Sequence, residues 1–211
     1  MQKKILDYSL YYFLGIGGIG MSALARYFNN YKKTCSGYDK SPTNLTSALE
    51  SEGIAVHFDE NTEYLEYLLS ETKKEEVLVI HTPAVPIDHK EYVWLMANGY
   101  TIKKRSIVLG EITRSFKTIA IAGTHGKTTT STLVAHILKS AGLNCYAFLG
   151  GISANYNTNL LLGTESSEKE TYVVVEADEY DRSFLTLHPF VTIIRSEEHT
   201  SELQSRLHLV C

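Results

Sequence analysis

The stretch YYFLGIGGIG, residues 11–20, decides the fold class of this chain. Four apolar or aromatic residues predict a buried strand, and glycines follow at the G-x-G-x-x-G positions Gly15, Gly17 and Gly20. Glycine lets the backbone turn sharply and approach a diphosphate, and the helix beyond would direct its free N–H groups at that anion. The loop therefore predicts a site for a diphosphate-containing ligand, with a simple tight turn as the alternative.

Asp39 stands 19 residues after Gly20, where an acidic side chain can accept hydrogen bonds from ribose hydroxyls. This spacing favours a nucleotide as the ligand of the glycine loop. The loop itself does not specify which nucleotide, and a nicotinamide dinucleotide is the first alternative that the pattern suggests.

The rest of the chain alternates short apolar runs with helical stretches, which is typical of βαβ units on parallel sheets. The sequence thus predicts an α/β fold. The expected strands cover residues 11–14, 33–38, 77–80, 118–122, 172–175 and 190–194, and the expected helices cover residues 21–29, 62–70, 107–113 and 128–141. A basic run at residues 103–105 marks the expected boundary between a first and a second domain.

A second glycine loop, GTHGKTTT at residues 123–130, follows the strand predicted at 118–122. It departs from the common P-loop pattern, which would place glycine where this chain has Ile121, but it keeps the part that binds phosphate. Backbone N–H groups would cradle phosphate oxygens, Lys127 would reach the β- and γ-phosphates, and the Thr128 hydroxyl would coordinate Mg²⁺. The loop predicts an ATP site, and this second nucleotide loop weakens the nicotinamide alternative. The helix that follows is expected to pack through an apolar stripe of Leu133, Val134, Ile137, Leu138 and Ala141.

Glu176 comes directly after the apolar strand predicted at residues 172–175. An acid in that place is typical of the magnesium side of phosphoryl-transfer sites, because Mg²⁺ prefers oxygen ligands and one or two carboxylates. Asp178 and Glu179 could take part or could belong to a solvated loop, and Asp181 could equally cap the next turn. His125 either shapes the phosphate loop or touches phosphate. The histidines outside the loop show no metal-ligand spacing; they include His57, His81, His89 and His136.

Composition limits the classes of function further. The net charge of −4 over 211 residues argues against a nucleic-acid partner, and the apolar runs are shorter than the roughly 18 residues of a membrane span. The N-terminus lacks the apolar core of an export signal. The three cysteines, Cys35, Cys145 and Cys211, form no C-x-x-C pair, which favours a reducing compartment. We therefore expect a cytoplasmic protein without membrane insertion.

Three motifs together resemble the Mur ligase family: FLGIGGIGMSALA at residues 13–25, AGTHGKTTT at 122–130 and VEADEYDRSFL at 175–185. The resemblance is greatest to the alanine-adding members of the family. It implies a Rossmann-like first domain over residues 1–107 that binds a UDP-sugar. It also implies an incomplete P-loop α/β central domain over residues 108–194 that binds ATP, and it places the amino acid on a third domain.

The resemblance also implies roles for individual residues. Lys127 and Glu176 would be catalytic, and Thr128 and Glu176 would hold Mg²⁺. The UDP-sugar would be bound by Gly15, Gly17, Gly18, Gly20 and Asp39. ATP would be bound by Gly123, Thr124, His125, Gly126, Lys127, Thr128 and Thr129.

The implied reaction is the ATP-dependent joining of L-alanine to UDP-N-acetylmuramate through an acyl phosphate, a step of peptidoglycan precursor synthesis. Two alternatives remain open. One is a related ligase that recycles murein tripeptide, and the other is a module that binds UDP-sugar or ATP without ligating anything. A nicotinamide dehydrogenase is disfavoured by the second loop.

The sequence departs from the family pattern after Ile194, where a T-N-x-x-x-D-H-like segment is expected. Residues 195–205 instead read RSEEHTSELQS, which matches an in-frame translation of a common DNA-sequencing adapter. We therefore expect residues 195–211 to be a non-native tail and the chain to be an N-terminal fragment that is inactive alone. The alternative is a genuine short helix, because Leu203, Leu207 and Val210 have helical spacing.

Overall fold

The computed structural model describes residues 3–164, 170–177 and 184–195. The chain divides into two units, Met1–Val108 and Leu109–Cys211, and each unit is built on a five-stranded sheet. The α/β fold that the sequence predicts is confirmed. The functional division of the domains, with one nucleotide for each, stays a prediction.

The first unit is a parallel sheet with the strand order β3-β2-β1-β4-β5. Its strands are β1 (Leu10–Leu14), β2 (Thr34–Tyr38), β3 (Ala55–His57), β4 (Val77–His81) and β5 (Thr101–Lys104). Its helices are α1 (Ile19–Asn30), α2 (Asn44–Ser51), α3 (Thr62–Leu69) and α4 (Lys90–Ala97), with a 3₁₀ turn at Lys74–Glu76; α5 (Arg105–Thr113) leads into the second unit.

Strand β1 lies at the centre of this sheet, and all five of its residues are buried. A central strand of a parallel sheet is covered on both faces, which is why its sequence is continuously apolar or aromatic. The two tyrosines of β1 bury rings whose hydroxyls need partners. Tyr11 donates to the carbonyl of Ile5 at 2.6 Å, and Tyr12 donates to the carboxylate of Glu91.

The second unit has the strand order β10-β6-β9-β7-β8. Its strands are β6 (Lys117–Ala122), β7 (Asn144–Ser153), β8 (Thr158–Leu161), β9 (Thr171–Glu176) and β10 (Val191–Ile194), and α6 (Lys127–Ser140) packs against the sheet. All pairs are parallel except β7 with β8, which form an antiparallel edge that the sequence analysis did not predict.

Two further observations bear on the expected environment of the protein. Over the described ranges, no helix combines the length and apolar character needed to cross a membrane. Cys35 and Cys145 are both buried free thiols, and burial raises the pKa of Cys145 to about 11 and that of Cys35 to about 12. Both thiols are therefore protonated and unreactive near neutral pH.

Candidate functional site

The first glycine loop joins β1 to α1 at the carboxyl end of the sheet. The N–H groups of Gly15 and Ile16 both donate to the carbonyl of Tyr38 at 2.9 Å, which ties the loop to the end of β2. Gly15 has a φ of +88°, and a Cβ at this position would lie 2.6 Å from the methyl carbon of Thr82. The turn therefore requires glycine for its backbone angle and for its close contact with the chain after β4.

Asp39 lies against this loop. One carboxylate oxygen of Asp39 accepts the N–H of Gly17 at 2.7 Å. No side chain caps the start of α1, and no acidic residue occurs in its first turn. Because the N-terminus of a helix carries a partial positive charge, this end of α1 is suited to an anionic ligand.

Gly20 brings a basic residue to the same place. A Cβ on Gly20 would lie 2.7 Å from a guanidinium nitrogen of Arg105, so this side chain lies close over the start of α1. Arg105 was not among the predicted site residues. The only signal for it was its place in the basic run at residues 103–105.

A cavity of about 670 Å³ opens beside the glycine loop. Its walls come from four separate parts of the first unit: the loop, the segment after β2, Glu60, and the segment between β4 and α4. Gly15, Gly17, Gly18 and Asp39 line the cavity, whereas Gly20 lies under Arg105 and is not part of the lining. The volume is in the range of small-molecule sites in proteins.

His89 is buried at the wall of this cavity, with only 5% of its surface exposed. Neither nitrogen of its ring has a hydrogen-bond partner within the described structure. In the sequence, His89 is one of the histidines without metal-ligand spacing. Its burial beside the glycine loop depends on packing between distant segments, so the local sequence carried no signal for it.

A second histidine, His57, bonds to a buried acid through Nε2, while its Nδ1 is buried without a partner in the described structure. Glu91 accepts hydrogen bonds from Tyr12, from Nε2 of His57 at 2.8 Å and from the N–H of Asn61 at 3.0 Å. Burial raises the pKa of Glu91, but these hydrogen bonds together outweigh burial, so the pKa lies below its ordinary value. The ionised Glu91 therefore acts as a fixed anchor for the start of α4.

The second glycine loop joins β6 to α6. Gly126, the residue before α6, has a φ of +76°, a left-handed conformation that favours glycine. The ammonium group of Lys127 donates to the carbonyl of Gly123 at 2.7 Å, so the lysine folds back over its own loop. Thr124, His125 and Thr129 are exposed.

Glu176 meets this loop from the end of β9. Strands β6 and β9 are parallel neighbours, so their carboxyl ends lie at the same edge of the sheet. The Thr128 hydroxyl donates to one oxygen of Glu176 at 3.1 Å, and the Ser131 hydroxyl donates to the other at 2.8 Å. The structure thus brings together the two residues that the sequence analysis selected as magnesium ligands.

Ser131 and Gly150 belong to the same constellation and were missed as site residues. The N–H of Gly150 donates to Glu176 at 2.8 Å, and a Cβ on Gly150 would collide with the carboxylate. Ser131 lies one helical turn after Thr128, which was a usable signal because residues three apart share a helix face. Gly150 lies on β7, and only the sheet pairing places it here.

The donor set at this site fits Mg²⁺. The Thr128 hydroxyl and the Glu176 carboxylate supply hard oxygen ligands, and Mg²⁺ usually completes its shell with water and phosphate oxygens. Over the described ranges, no group of three or more His, Cys, Asp or Glu side chains is placed to hold a metal by itself. Asp178, Glu179 and Asp181 lie outside the described residues.

Comparison with known proteins defines the class of this chain. Residues 10–117 match the Mur ligase family, catalytic domain, and residues 121–199 match the Mur ligase middle domain. The chain belongs to the Mur ligase family, as the resemblance of its motifs indicates.

Individual relatives show which members of the family this chain is similar to. The chain is 54% identical over 185 residues to the UDP-N-acetylmuramate–L-alanine ligase of Cytophaga hutchinsonii, a match that covers 88% of this chain and 39% of the relative. It is also similar to the crystal structure of the UDP-N-acetylmuramate-alanine ligase MurC from Thermotoga maritima, with a TM-score of 0.72, 29% identity, and coverage of 89% of this chain and 41% of the other.

A third relative is a murein peptide ligase. The murein peptide ligase mpl from Psychrobacter arcticus matches with a TM-score of 0.76 and 26% identity, covering 90% of this chain and 43% of the other. The chain therefore spans about two fifths of the length of the relatives it matches.

Proposed function

We propose that this chain is part of an ATP-dependent ligase that joins L-alanine to UDP-N-acetylmuramate in the synthesis of peptidoglycan precursors. The observation that carries the proposal is the occurrence of two glycine loops in one chain, each at the start of a helix, with the Thr128–Glu176 contact behind the second. The relatives named for alanine addition support the choice of reaction.

The first unit is the proposed site of the UDP-sugar. The loop of Gly15, Gly17 and Gly18, with the positive end of α1, would hold the diphosphate, and Arg105 over Gly20 would add a positive charge. Asp39 lines the same cavity and would accept hydrogen bonds from the ribose. The cavity has room for more of the nucleotide than its diphosphate.

The second unit is the proposed site of ATP. The backbone of residues 123–129 would surround the phosphates, and Lys127 would move its ammonium group from the Gly123 carbonyl to the phosphate oxygens. Thr128 and Glu176 would hold Mg²⁺, which neutralises phosphate charge when bound.

The proposed chemistry passes through an acyl phosphate. The lactyl carboxylate of UDP-N-acetylmuramate attacks the γ-phosphorus, the bond to the β-phosphate oxygen breaks, and ADP leaves. The amine of L-alanine then attacks the acyl carbon, loses a proton, and displaces inorganic phosphate to leave an amide. Lys127 would stabilise the charge that develops on the transferring phosphoryl group.

A ligase for murein peptide is the second candidate, favoured by the likeness to the murein peptide ligase. Both candidates use the same two nucleotide sites and differ in the amine that is added. Phosphate release by the whole protein, with L-alanine and with murein tripeptide as the amine, distinguishes them. For either reaction we propose the cytoplasm as the location, supported by the two buried free thiols.

Calorimetric titration of the chain with UDP-N-acetylmuramate and with Mg-ATP tests the site assignments. We expect both to bind, and we expect Lys127→Met to weaken Mg-ATP by about tenfold or more, ~1.4 kcal/mol, because a charge that contacts phosphate is lost. Binding of the UDP-sugar should be unchanged, because Lys127 belongs to the second loop. Lys139→Met, near the far end of the same helix, is the matched control. Binding of NAD in place of both ligands would contradict the proposal.

A further inference from the structure

The ring of His89 lies at the wall of the cavity of the first unit, and its hydrogen-bonding groups are unused. Its backbone is satisfied, since its N–H donates to the carbonyl of Pro86 at 3.2 Å and its carbonyl accepts the N–H of Val93 at 2.9 Å. Its two ring nitrogens are buried without partners. Buried polar groups nearly always have a hydrogen-bond partner, so such a pair calls for a specific explanation.

The protein does not engage the His89 ring, although acidic side chains are close by. Glu60 and Asp88 line the same cavity, but the Glu60 carboxylate accepts the N–H of Lys90 at 3.0 Å instead. His57 shows the contrast, because its Nε2 bonds to the anchored Glu91. The ring of His89 instead packs against the ring of Tyr38, with the centroids 4.4 Å apart. A fixed structural role in a polar network is therefore absent for His89 in the described structure.

The position of His89 along the cavity matches one part of a nucleotide. The glycine loop, proposed for the diphosphate, contacts Asp39 through the N–H of Gly17. Asp39, proposed for the ribose, follows Tyr38 in the chain, and Tyr38 packs against His89. Asp39 thus contacts the loop, whereas His89 lies beside Tyr38, so in the proposed arrangement His89 is the side chain left for the base.

We propose that His89 is a further binding residue of this site and hydrogen-bonds the base of a bound uridine nucleotide. The inference rests on the proposed function, in which the first unit takes UDP. A neutral imidazole offers one N–H donor and one acceptor nitrogen. The uracil edge carries two carbonyl acceptors and an imide N–H donor, so either tautomer of His89 finds a partner there. The Tyr38 ring beside it supplies a flat wall for the base.

Two substitutions and two small ligands test this role on the whole chain. His89→Phe keeps a flat ring of similar size and removes both nitrogens, while His89→Asn keeps a donor and an acceptor. The ligands are UDP and inorganic diphosphate, which lacks the base. We expect His89→Phe to bind UDP about tenfold more weakly and diphosphate as the parent does, and we expect His89→Asn to recover most of the UDP affinity.

The thermal stability of the free chain is the second readout. Because the ring nitrogens of His89 have no partners, replacing them by carbon should leave the melting temperature of the free protein unchanged or higher. A lower melting temperature would show that His89 has a structural role and would overturn the inference.

The remaining outcomes separate this inference from the proposed function. Equal affinity of parent and His89→Phe for UDP would overturn the role of His89 and leave the UDP site intact. An equal loss of affinity for UDP and for diphosphate would show that His89 acts through the loop and not on the base. A loss of affinity for UDP-N-acetylmuramate but not for UDP would show that His89 contacts the sugar and not the base. If the parent binds neither UDP nor diphosphate, the proposed function of the first unit fails as well.

Discussion

At the scale of single residues, Glu176 is a carboxylate held in place by its neighbours in the chain. Three donors from two elements hold its oxygens: the hydroxyls of Thr128 and Ser131 on α6, and the N–H of Gly150 on β7. Such preorganisation reduces the rearrangement needed when a ligand binds. The Thr128 contact has the further consequence that both proposed magnesium ligands already face each other.

Glu176→Gln is predicted to weaken binding of Mg-ATP by about tenfold or more, ~1.4 kcal/mol, because the amide keeps the shape but removes the negative charge that faces the metal. Binding of ATP in the presence of a chelator should change little, since the charge acts through Mg²⁺. Parallel titrations with and without magnesium measure the difference. Glu170→Gln is the matched control, because Glu170 is an exposed acid next to β9 that pairs with Lys117. Equal losses with and without magnesium would contradict the metal role.

At the scale of elements, the sequence predicted the two strand–loop–helix units well because their signals are local. The apolar strands β1 and β6 each end in a glycine loop. A helix begins within or directly after each loop, at Ile19 for α1 and at Lys127 for α6. The sequence did not predict β3, β5, β7 or β8. These strands are short, or at the edge of a sheet, or carry glycines, and their pairing is decided by distant partners.

The apolar stripe predicted for α6 is partly wrong. Leu133 and Ile137 are each 56% exposed, whereas Ser131 and Ala135 are buried. The face of α6 that carries Ser131 and Ala135 lies toward the sheet, where Ser131 bonds to Glu176 at the end of β9. Val134 and Leu138 still pack against the core at its edge.

The turn between β1 and α1 is the element whose geometry gives the sharpest stability prediction. Gly15→Ala places a methyl group 2.6 Å from Thr82 at a positive φ, so it should cost about 1 kcal/mol for the backbone and a further ~1–3 kcal/mol for the overlap. Gly53→Ala is the control, because Gly53 has a similar φ of +85° but nothing within 4 Å of the added Cβ. Urea unfolding of the two variants measures the difference between them.

A second substitution identifies the contact responsible. Thr82→Ser removes the methyl carbon that the new Cβ would meet, so Gly15→Ala combined with Thr82→Ser should recover part of the lost free energy of unfolding. The same serine combined with Gly53→Ala should recover none. Equal stabilities of Gly15→Ala and Gly53→Ala would show that the turn relaxes away from Thr82.

At the scale of the whole molecule, the sequence located both glycine loops but not the cavity of the first unit. The motifs are continuous in sequence, whereas the cavity is assembled from the loop, the end of β2, Glu60 and the segment before α4. His89 is the clearest example, since its significance comes from burial and from the lack of a partner. Neither property can be predicted from the residues next to His89 in the sequence.

The glycine loop before a helix in each unit predicts where the proposed ligands will slow amide hydrogen exchange. A ligand stabilises the state it binds by ~2.7 kcal/mol at a concentration of one hundred times its Kd. We expect UDP to slow exchange in residues 15–22 and at the start of α4, because both line or adjoin its proposed cavity. Mg-ATP should slow exchange in residues 123–131 and around Gly150, where amide groups surround the proposed phosphate site and contact Glu176.

Exchange measured by mass spectrometry with each ligand alone checks the assignment. Slowing of residues 123–131 by UDP, with no change in residues 15–22, would reverse the order of the two sites and contradict the function proposed for each unit.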